Sequence, residues 1–481
     1  MKKLDELVVC PYKININSIE DDSRIRVNNA LFCCIEGLTV DGHNYIEAAI
    51  KNGAVAILAS KRIEASIPVI QVKDTNQAMI SVLSNFYNKV DEKLKLIGIT
   101  GTDGKTTVAS MIYQLINNID KCGLIGTNGI TCSDFEFKTD YTTPFPKELF
   151  NIFNNFYNNK CYYVAMEVSS ERLLTKRIDY LKFDVAVFTN LTYDHMDKHK
   201  TFANYRDSKA KLFQMLKETG YAIINADDKY SGFFQKKTKG LVLTYGIEQK
   251  ADIRASKIII SKNELQFTID GLFGTYHINS PLSGMFNVYN IMASIGVCYI
   301  LGFDMKKIID SIENLEPIKG RLNIIESNCG FKVLIDYAHT PNALKNLLQY
   351  VKVATDNNII TITGSAGGRD KLKRPEMGKV VTSLSDYVIF TTDDPRNEDP
   401  NDIIDQLISK VNTHNYERII DRSLAIKRAI SLAKKGDVVV IAGRGDDTFM
   451  PIGNTVIRCN DKEEVFKYLS EKKLDVVYKT N

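Results

Sequence analysis

The chain has 481 residues, 44% hydrophobic, 25% charged and 9% aromatic. That balance is too apolar for a disordered chain and too polar for a membrane protein. With 62 basic against 58 acidic residues and no basic block, it carries no nucleic-acid footprint.

Nine cysteines are scattered singly except for Cys33-Cys34, with no C-x-x-C, which argues against a disulfide framework or structural zinc. The opening MKKLDELVVCPYKI meets Asp5 and Glu6 before any apolar run, unlike a secretion signal. No apolar stretch reaches about 18 residues, so no membrane insertion is expected, and a cytoplasmic location is. At about 100–200 residues per domain, the length suggests three domains.

The first block, residues 1–95, holds short apolar strands at ALFCCIEG (30–37) and AVAILAS (54–60), with a helix pattern at IEAAIKNG (46–53). The second, 96–320, opens on LKLIGIT (94–100), a continuous apolar run of the kind a buried parallel strand requires. A glycine-rich turn follows, then VASMIYQLINNI (108–119) with helical spacing. YYVAMEVS (162–169), DVAVFTNL (184–191) and YAIINAD (221–227) read as further strands, and 255–278 as antiparallel strands with turns. The third block, 321–481, alternates again through FKVLIDYAHT, NIITITGSAGG, DYVIFTTDDP and DVVVIAGRGD. Strands alternating with helices predict an α/β fold with mostly parallel sheets. Ligands in such folds meet the carboxyl ends of strands, where Gly, Asp, Arg and His collect here.

The turn Gly101-Thr102-Asp103-Gly104-Lys105-Thr106-Thr107 between strand and helix suits phosphate. Glycines let backbone N–H groups approach the oxygens, and the helix N-terminus adds positive potential. Lys105 would neutralise phosphate charge, and Thr106 or Thr107 could ligate Mg²⁺. The usual G-x-x-x-x-G-K-[ST] spacing would need glycine at Ile99, so this loop is shorter. A bland tight turn is the competing interpretation. Glu167 ends one strand and His195 follows the next, an oxygen and an imidazole near a triphosphate. Taken alone, His195 also reads as a solvated loop histidine.

These motifs, with Glu167-Val-Ser-Ser, Thr189-Asn190…Asp194-His195 and Phe286-Asn287-Val288-Tyr289-Asn290, occur in the order seen in Mur ligases. Asp336-Tyr-Ala-His339-Thr-Pro, Gly367-Gly-Arg369-Asp-Lys and Asp394-Pro395-Arg396 add a likeness to the MurE branch, which adds the third residue of the stem peptide. In the first block Asp22-Ser23-Arg24 and Asp41-Gly42-His43 agree, so the resemblance spans nearly the whole chain.

The resemblance implies a three-domain architecture: a UDP-sugar domain, a central P-loop ATPase-like domain and a C-terminal Rossmann-like domain for the incoming amino acid. It implies ATP as co-substrate, Mg²⁺ as cofactor, other small-molecule substrates and a monomer. Lys105, Glu167, His195 and Lys209 become the catalytic set. Lys209 matches a lysine that carries a carbamate, with Lys211 as the neighbouring competitor. Thr106, Glu167, His195 and Lys209 would hold metal. Gly101–Thr107, Asn287, Arg321, Asp336 and His339 would bind ATP. Ser23, Leu38, Thr39, Val40, Thr142, Thr143, Ser169, Thr175 and Arg177 would face UDP-MurNAc-L-Ala-D-Glu. Arg369, Asp393, Asp394, Pro395, Arg396, Gly443 and Asp447 would select the amino acid.

Three departures stand out. Asp394 replaces the asparagine of the diaminopimelate-adding Asp-Asn-Pro-Arg pattern. Gly443-Arg444-Gly445-Asp446-Asp447 replaces Gly-Lys-Gly-His-Glu, and Glu171-Arg172-Leu173 replaces His-Ala-Leu. Arg396 suits the distal carboxylate of diaminopimelate, and the extra carboxylate at 394 suits lysine as the second candidate. A folylpolyglutamate synthase, a non-catalytic ligase-like binding protein and a simple P-loop kinase are the rival readings. The first-block motifs, the retained catalytic set and the third block argue against them in turn.

Overall fold

The computed structural model describes the chain except for residues 38–39, 134, 138–141, 176–177, 262–263, 472–475 and 478–481. Leu38, Thr39 and Arg177 therefore lie outside the described residues. An antiparallel pair, β1 (Lys2–Lys3) with β2 (Asn15–Ile16), precedes a four-stranded parallel sheet. Its order is β3 (Ser18–Glu20), β4 (Ala30–Cys33), β5 (Ala54–Ala59) and β6 (Val69–Gln71).

The central sheet has eleven strands. In chain order they are β7 (Lys95–Thr100), β8 (Cys122–Gly126), β9 (Gly129–Cys132), β10 (Phe135–Phe137), β11 (Tyr163–Glu167) and β12 (Phe183–Phe188). They continue with β13 (Leu216–Asn225), β14 (Leu241–Gly246), β15 (Ile253–Ile260), β16 (Leu265–Gly271) and β17 (Gly274–Ser280). The spatial order is 10-9-8-11-7-12-13-14-15-16-17, parallel from β8 to β15 and antiparallel at both ends. The chain leaves β7 toward β8 on one side and returns through β11 to β12 on the other. The carboxyl end of β7 is thus a topological switch point, where open α/β sheets receive ligands.

The third sheet is built from β18 (Asn323–Ser327), β19 (Lys332–Asp336), β20 (Ile359–Thr363), β21 (Tyr387–Phe390), β22 (Tyr416–Arg418), β23 (Val438–Ala442) and β26 (Val476–Val477), in the order 22-21-20-23-19-18-26. A separate hairpin joins β24 (Phe449–Ile452) to β25 (Thr455–Arg458).

Burial on both faces explains the continuous apolar runs in the sequence. Val333, Ile335, Ile362 and Ile441 pack on one side of the third sheet; Leu334, Val388, Val440 and Ala442 pack on the other. In the central sheet Ile97 and Ile99 meet the helix Lys105–Asn117 through Val108, Met111, Ile112 and Leu115. Each such side chain contributes about 1.5–3 kcal/mol when fully buried, which holds the helix start against the end of β7. On the opposite face a Cβ at Gly98 would lie 2.8 Å from the Leu212 and Phe183 side chains. Its absence lets the helix Phe202–Gln214, which carries Lys209, pack close to the strand.

The cysteine pattern did not reveal one feature. Cys132 and Cys161, 29 residues apart, are joined as a disulfide. The strand β9 and the approach to β11 bring them together, a pairing that no sequence spacing encodes.

Candidate active site

The phosphate turn is shaped by backbone sterics. Gly101 adopts φ 157°, and a Cβ there would meet Thr189 Oγ1 at 1.8 Å. The stretch after β12 grips the turn: Thr189 Oγ1 donates to Asp103 O at 2.7 Å, and Asn190 Oδ1 accepts from Asp103 N at 3.0 Å. Gly104, at φ 85°, starts the helix and leaves its first N–H groups facing the turn. Lys105 Nζ donates to the carbonyls of Gly101 at 3.0 Å and Thr102 at 2.8 Å. Burial holds its pKa below the usual lysine range, against the pull of Glu167, Asp103 and Asp194.

Glu167 closes β11 beside this helix start. Its carboxylate accepts from Thr106 Oγ1 at 3.0 Å and from Thr127 N at 2.7 Å. Arg321, from the third block, donates to Thr106 Oγ1 at 3.4 Å. Lys209 is 1% exposed, and its Nζ donates to Gly101 O at 2.6 Å. Burial first, and the Lys105 charge second, drive its amine well below the usual lysine range. Lys211 instead donates to Leu173 O at 2.9 Å, away from the turn.

The Tyr205 ring links Lys209 to His195, lying 4.6 Å from the Lys209 nitrogen and 6.0 Å from the His195 ring. His195 has φ 61° and begins the short helix Met196–His199. Burial, reinforced by Lys209 and Lys105, lowers its pKa to about 3 despite Asp194 nearby, so the imidazole stays neutral. Neutral imidazole is the metal-ligating form. Burial pulls Asp194 upward, but the Lys373 ammonium at 2.9 Å and His195 outweigh it and keep the carboxylate ionised.

A cavity of about 470 Å³ opens beside the turn, lined by Asp103, Gly104, Thr107, Asn287, Arg321 and Asp336 among others. Asn287 donates to Ser283 O at 2.8 Å, and Asp336 accepts from the N–H groups of Leu322 and Ala338. Burial raises the Asp336 carboxyl. His339 stands outside that lining; its Nδ1 lies 2.7 Å from Tyr337 O. The third block also closes on the turn directly. Thr340 and Asn342 donate to the Asp103 carboxylate at 3.2 Å each.

A second, wider cavity of about 1160 Å³ runs from the first sheet to the helix Pro146–Asn158, past Ser23, Asp22, Arg24, Val40 and Lys147. Thr142 Oγ1 lies 3.4 Å from Thr127 Oγ1, and Thr143 Oγ1 donates to Glu167 O at 2.9 Å. Ser169 caps the helix Ser170–Leu174, and the Thr175 hydroxyl bonds back to Glu171 O. Both hydroxyls therefore do local structural work. Glu171 is exposed in the first turn of that helix, a favourable place for an acid.

At the third sheet, Asp393, Asp394, Pro395 and Arg396 follow β21. A Cβ at Gly443 would meet Asp393 Oδ2 at 2.2 Å, and burial pushes the Asp393 carboxyl up to about 6 against Arg422. Asp394 and Arg396 both have positive φ, at 42° and 52°. Arg444 anchors this bend: it is 1% exposed, pairs with Asp394, and donates to Phe449 O and Cys459 O. Arg396 Nη1 donates to Gly367 O at 3.2 Å, and Arg369 lies within its electrostatic reach. Tyr337 donates to Asp447, whose carboxyl burial pushes up to about 6.

The structure thus brings together the turn, Glu167, Lys209, His195 and Arg321. It groups Arg369 and Asp393–Arg396 in the loops after β20 and β21, with Gly443 against Asp393. Sequence reasoning missed Thr127 and the linking roles of Lys373, Asp370 and Asn342. Asp370 lay inside a quoted motif, whereas nothing marked Thr127, whose contribution is a backbone N–H.

Three family models match the sequence: "Mur ligase family, catalytic domain" over residues 15–87, "Mur ligase middle domain" over 99–298 and "Mur ligase, glutamate ligase domain" over 320–445. A UDP-N-acetylmuramoyl-L-alanyl-D-glutamate–2,6-diaminopimelate ligase of Bacillus velezensis is 41% identical over 457 residues, covering 93% of each chain. A solved structure of an enzyme with that name is 28% identical and superposes with a TM-score of 0.70, covering 98% of this chain and 100% of that one. Folylpolyglutamate synthase of Mycobacterium tuberculosis, solved with ADP and AMPPCP, shares the fold at 17% identity and a TM-score of 0.63, covering 76% of this chain and 91% of its own. No helix among the described residues is long and apolar enough to cross a membrane. Sequence match, sheet order and the built phosphate turn agree along nearly the whole length, and the chain belongs to the Mur ligase family.

Proposed function

We propose that the protein is an ATP-dependent ligase that joins a diamino acid, meso-diaminopimelate, to the D-glutamate side chain of UDP-MurNAc-L-Ala-D-Glu in peptidoglycan precursor synthesis. The observation that carries this is the junction of the central and third sheets. Arg321 reaches Thr106 there, Lys373 reaches Asp194, and Arg369 and Arg396 stand within electrostatic reach of each other. The first cavity is the ATP site, the second the UDP-sugar site, and the mouth after β21 the amino-acid site. Residues 1–95, 96–320 and 321–481 divide these tasks.

A carboxylate is a poor electrophile, because its charge is delocalised and its oxygen leaves badly. Phosphorylation by ATP converts it to an acyl phosphate that an amine can attack. Transfer between two anions needs positioning and charge neutralisation. Lys105 and Arg321 supply positive charge at the turn, and Gly101–Thr107 supplies backbone donors.

Glu167 and the Thr106 hydroxyl are adjacent hard oxygens, a donor pair that fits Mg²⁺. Among the described residues no three His, Cys, Asp or Glu groups converge. Neutral His195 and phosphate oxygens would join that pair, and a carbamate on Lys209 would hold a second Mg²⁺. The bound ion would offset phosphate charge. The buried Lys209 amine is held toward its neutral form, the form that adds CO₂.

Arg396, retained from the diaminopimelate pattern and steadied on Gly367, supports diaminopimelate over lysine. The test is phosphate release and product mass with ATP, Mg²⁺, UDP-MurNAc-L-Ala-D-Glu and meso-diaminopimelate, L-lysine, L-ornithine or no amino acid. Turnover with diaminopimelate and the matching mass gain is the expected result. Turnover with lysine alone would reverse the choice of amino acid. ATP binding without turnover would favour the non-catalytic reading.

A further inference from the structure

The amino-acid mouth has cations for carboxylates, but its obvious anions are already engaged. Asp394 pairs with Arg444, Asp447 accepts from Tyr337, and Glu398 is held by Arg374 and Lys371. Asp194 pairs with Lys373, and Asp370 accepts from the N–H groups of Met196 and Leu372. A free amino acid arriving here carries an ammonium as well as its carboxylates, and a buried ammonium needs an anionic acceptor.

Asp393, pressed against Gly443, faces the buried Arg422 and Arg444 charges, and Asp197 remains. Both of its carboxylate oxygens are shut off from solvent, and neither has a hydrogen-bond partner. A buried carboxylate without donors is costly, so one that persists calls for a reason. Its place in the fold supplies one. It lies on the short helix Met196–His199, two residues beyond His195 and thus next to the phosphate end. The N-terminal residue of that helix donates its N–H to Asp370 of the third block at 3.3 Å, so the helix faces Arg369 and its neighbours across the junction. Asp197 lies within electrostatic reach of Arg396. His199 Nδ1, on the same turn, is a second buried polar atom without a partner.

We propose that Asp197 receives the ammonium of the incoming amino acid, the nitrogen that becomes the new amide, while Arg369 and Arg396 on the opposite wall hold its carboxylates. The group holds the nitrogen at the junction, between the carboxylate-binding cations and the turn where the acyl phosphate forms. This assignment rests on the ligase reading above and deepens it. It separates the two kinds of carboxylate in the pocket: Asp394 shapes the loop that presents Arg396, and Asp197 meets the substrate.

The experiment is steady-state kinetics of full-length Asp197→Asn and Asp197→Glu with ATP, Mg²⁺, UDP-MurNAc-L-Ala-D-Glu and meso-diaminopimelate or L-lysine. Asp197→Asn should raise the KM for the amino acid more than about tenfold, with the KM values for ATP and the UDP-sugar within about threefold. Asp197→Glu, which keeps the charge, should recover part of the loss. Hydroxylamine offered as competing nucleophile is small and uncharged, so the ratio of hydroxamate to peptide product should rise in Asp197→Asn. An unmoved amino-acid KM, an unchanged product ratio, or all three KM values rising together would overturn the assignment, the last by assigning Asp197 a purely structural role. Absence of amide formation by the wild type would overturn the ligase reading and this assignment with it. Wild-type turnover therefore separates the two failures.

Discussion

The turn at 101–107 and the loop after β21, proposed above as the phosphate and amino-acid sites, are built in opposite ways. At the turn, consecutive residues do the work: Gly101, Gly104, Lys105 and Thr106 act within one strand-to-helix connection. At the mouth, the residues in Asp394-Pro395-Arg396 are aimed by partners far along the chain, chiefly Arg444 and the carbonyl of Pro451. Local backbone geometry makes an anion site, because N–H groups and a helix start are properties of short segments. A selective zwitterion site needs charges fixed on several loops, and each must be held by something else. The lesson is that a motif change at the mouth has to be interpreted together with its partner. Asp394 is not simply an added negative charge, since Arg444 already neutralises it.

Gly101→Ala tests the local half of that contrast and should have the largest effect. The new Cβ collides with Thr189 Oγ1, and the turn must move by about an ångström. Misplacement of that size costs about 100-fold in turnover, so phosphate release should fall at least that far at saturating substrates. Equal turnover in wild type and variant would mean that the turn does not seat the phosphates.

Arg444→Met tests the distant half. It strips the buried partner from Asp394 and removes two carbonyl contacts. Breaking a buried pair costs about 3–5 kcal/mol, and solvent reaching Asp394, 21% exposed, reduces this to about 2–3 kcal/mol. Urea unfolding should register that loss, and the amino-acid KM should rise more than the ATP KM. A rise confined to ATP would break the comparison.

The smallest effect concerns Glu398, which props the Gly367–Arg374 loop. The Arg374 hydrogen bond leads in holding its carboxyl down to about 2, with Gly368 N and Lys371 assisting against burial. A folded pKa below the ordinary 4.5 contributes stability above that pH and loses it as pH falls toward 2. Glu398→Gln should therefore flatten the fall in melting temperature between about pH 4.5 and 2. A curve parallel to that of the wild type would remove Glu398 from the account.

Much of the fold was legible because burial on both faces leaves a direct mark on sequence. LKLIGIT, DVAVFTNL and DVVVIAGRGD became β7, β12 and β23 within a residue or two at their starts. The antiparallel character of 255–278 was visible from its turns and became β15, β16 and β17. The phosphate turn was legible for the same local reason. The Cys132–Cys161 bridge was not, since its spacing carries no signal. Ser169 and Thr175 show the converse limit. The resemblance assigns both to the UDP-sugar peptide, yet their hydroxyls serve a helix cap and a backbone carbonyl.

By itself the sequence determined the strands, the glycine-rich turn and the order of motifs along three blocks. These follow from hydrophobic periodicity and from the backbone freedom of glycine, both written within a few residues. Tertiary structure alone decided which carboxylates find hydrogen-bond partners and which does not. Asp194, Asp370, Asp394 and Asp447 each found a partner through the fold, and Asp197 did not. Charge pairing depends on distances between segments far apart in the chain. Those distances exist only after the three sheets have packed.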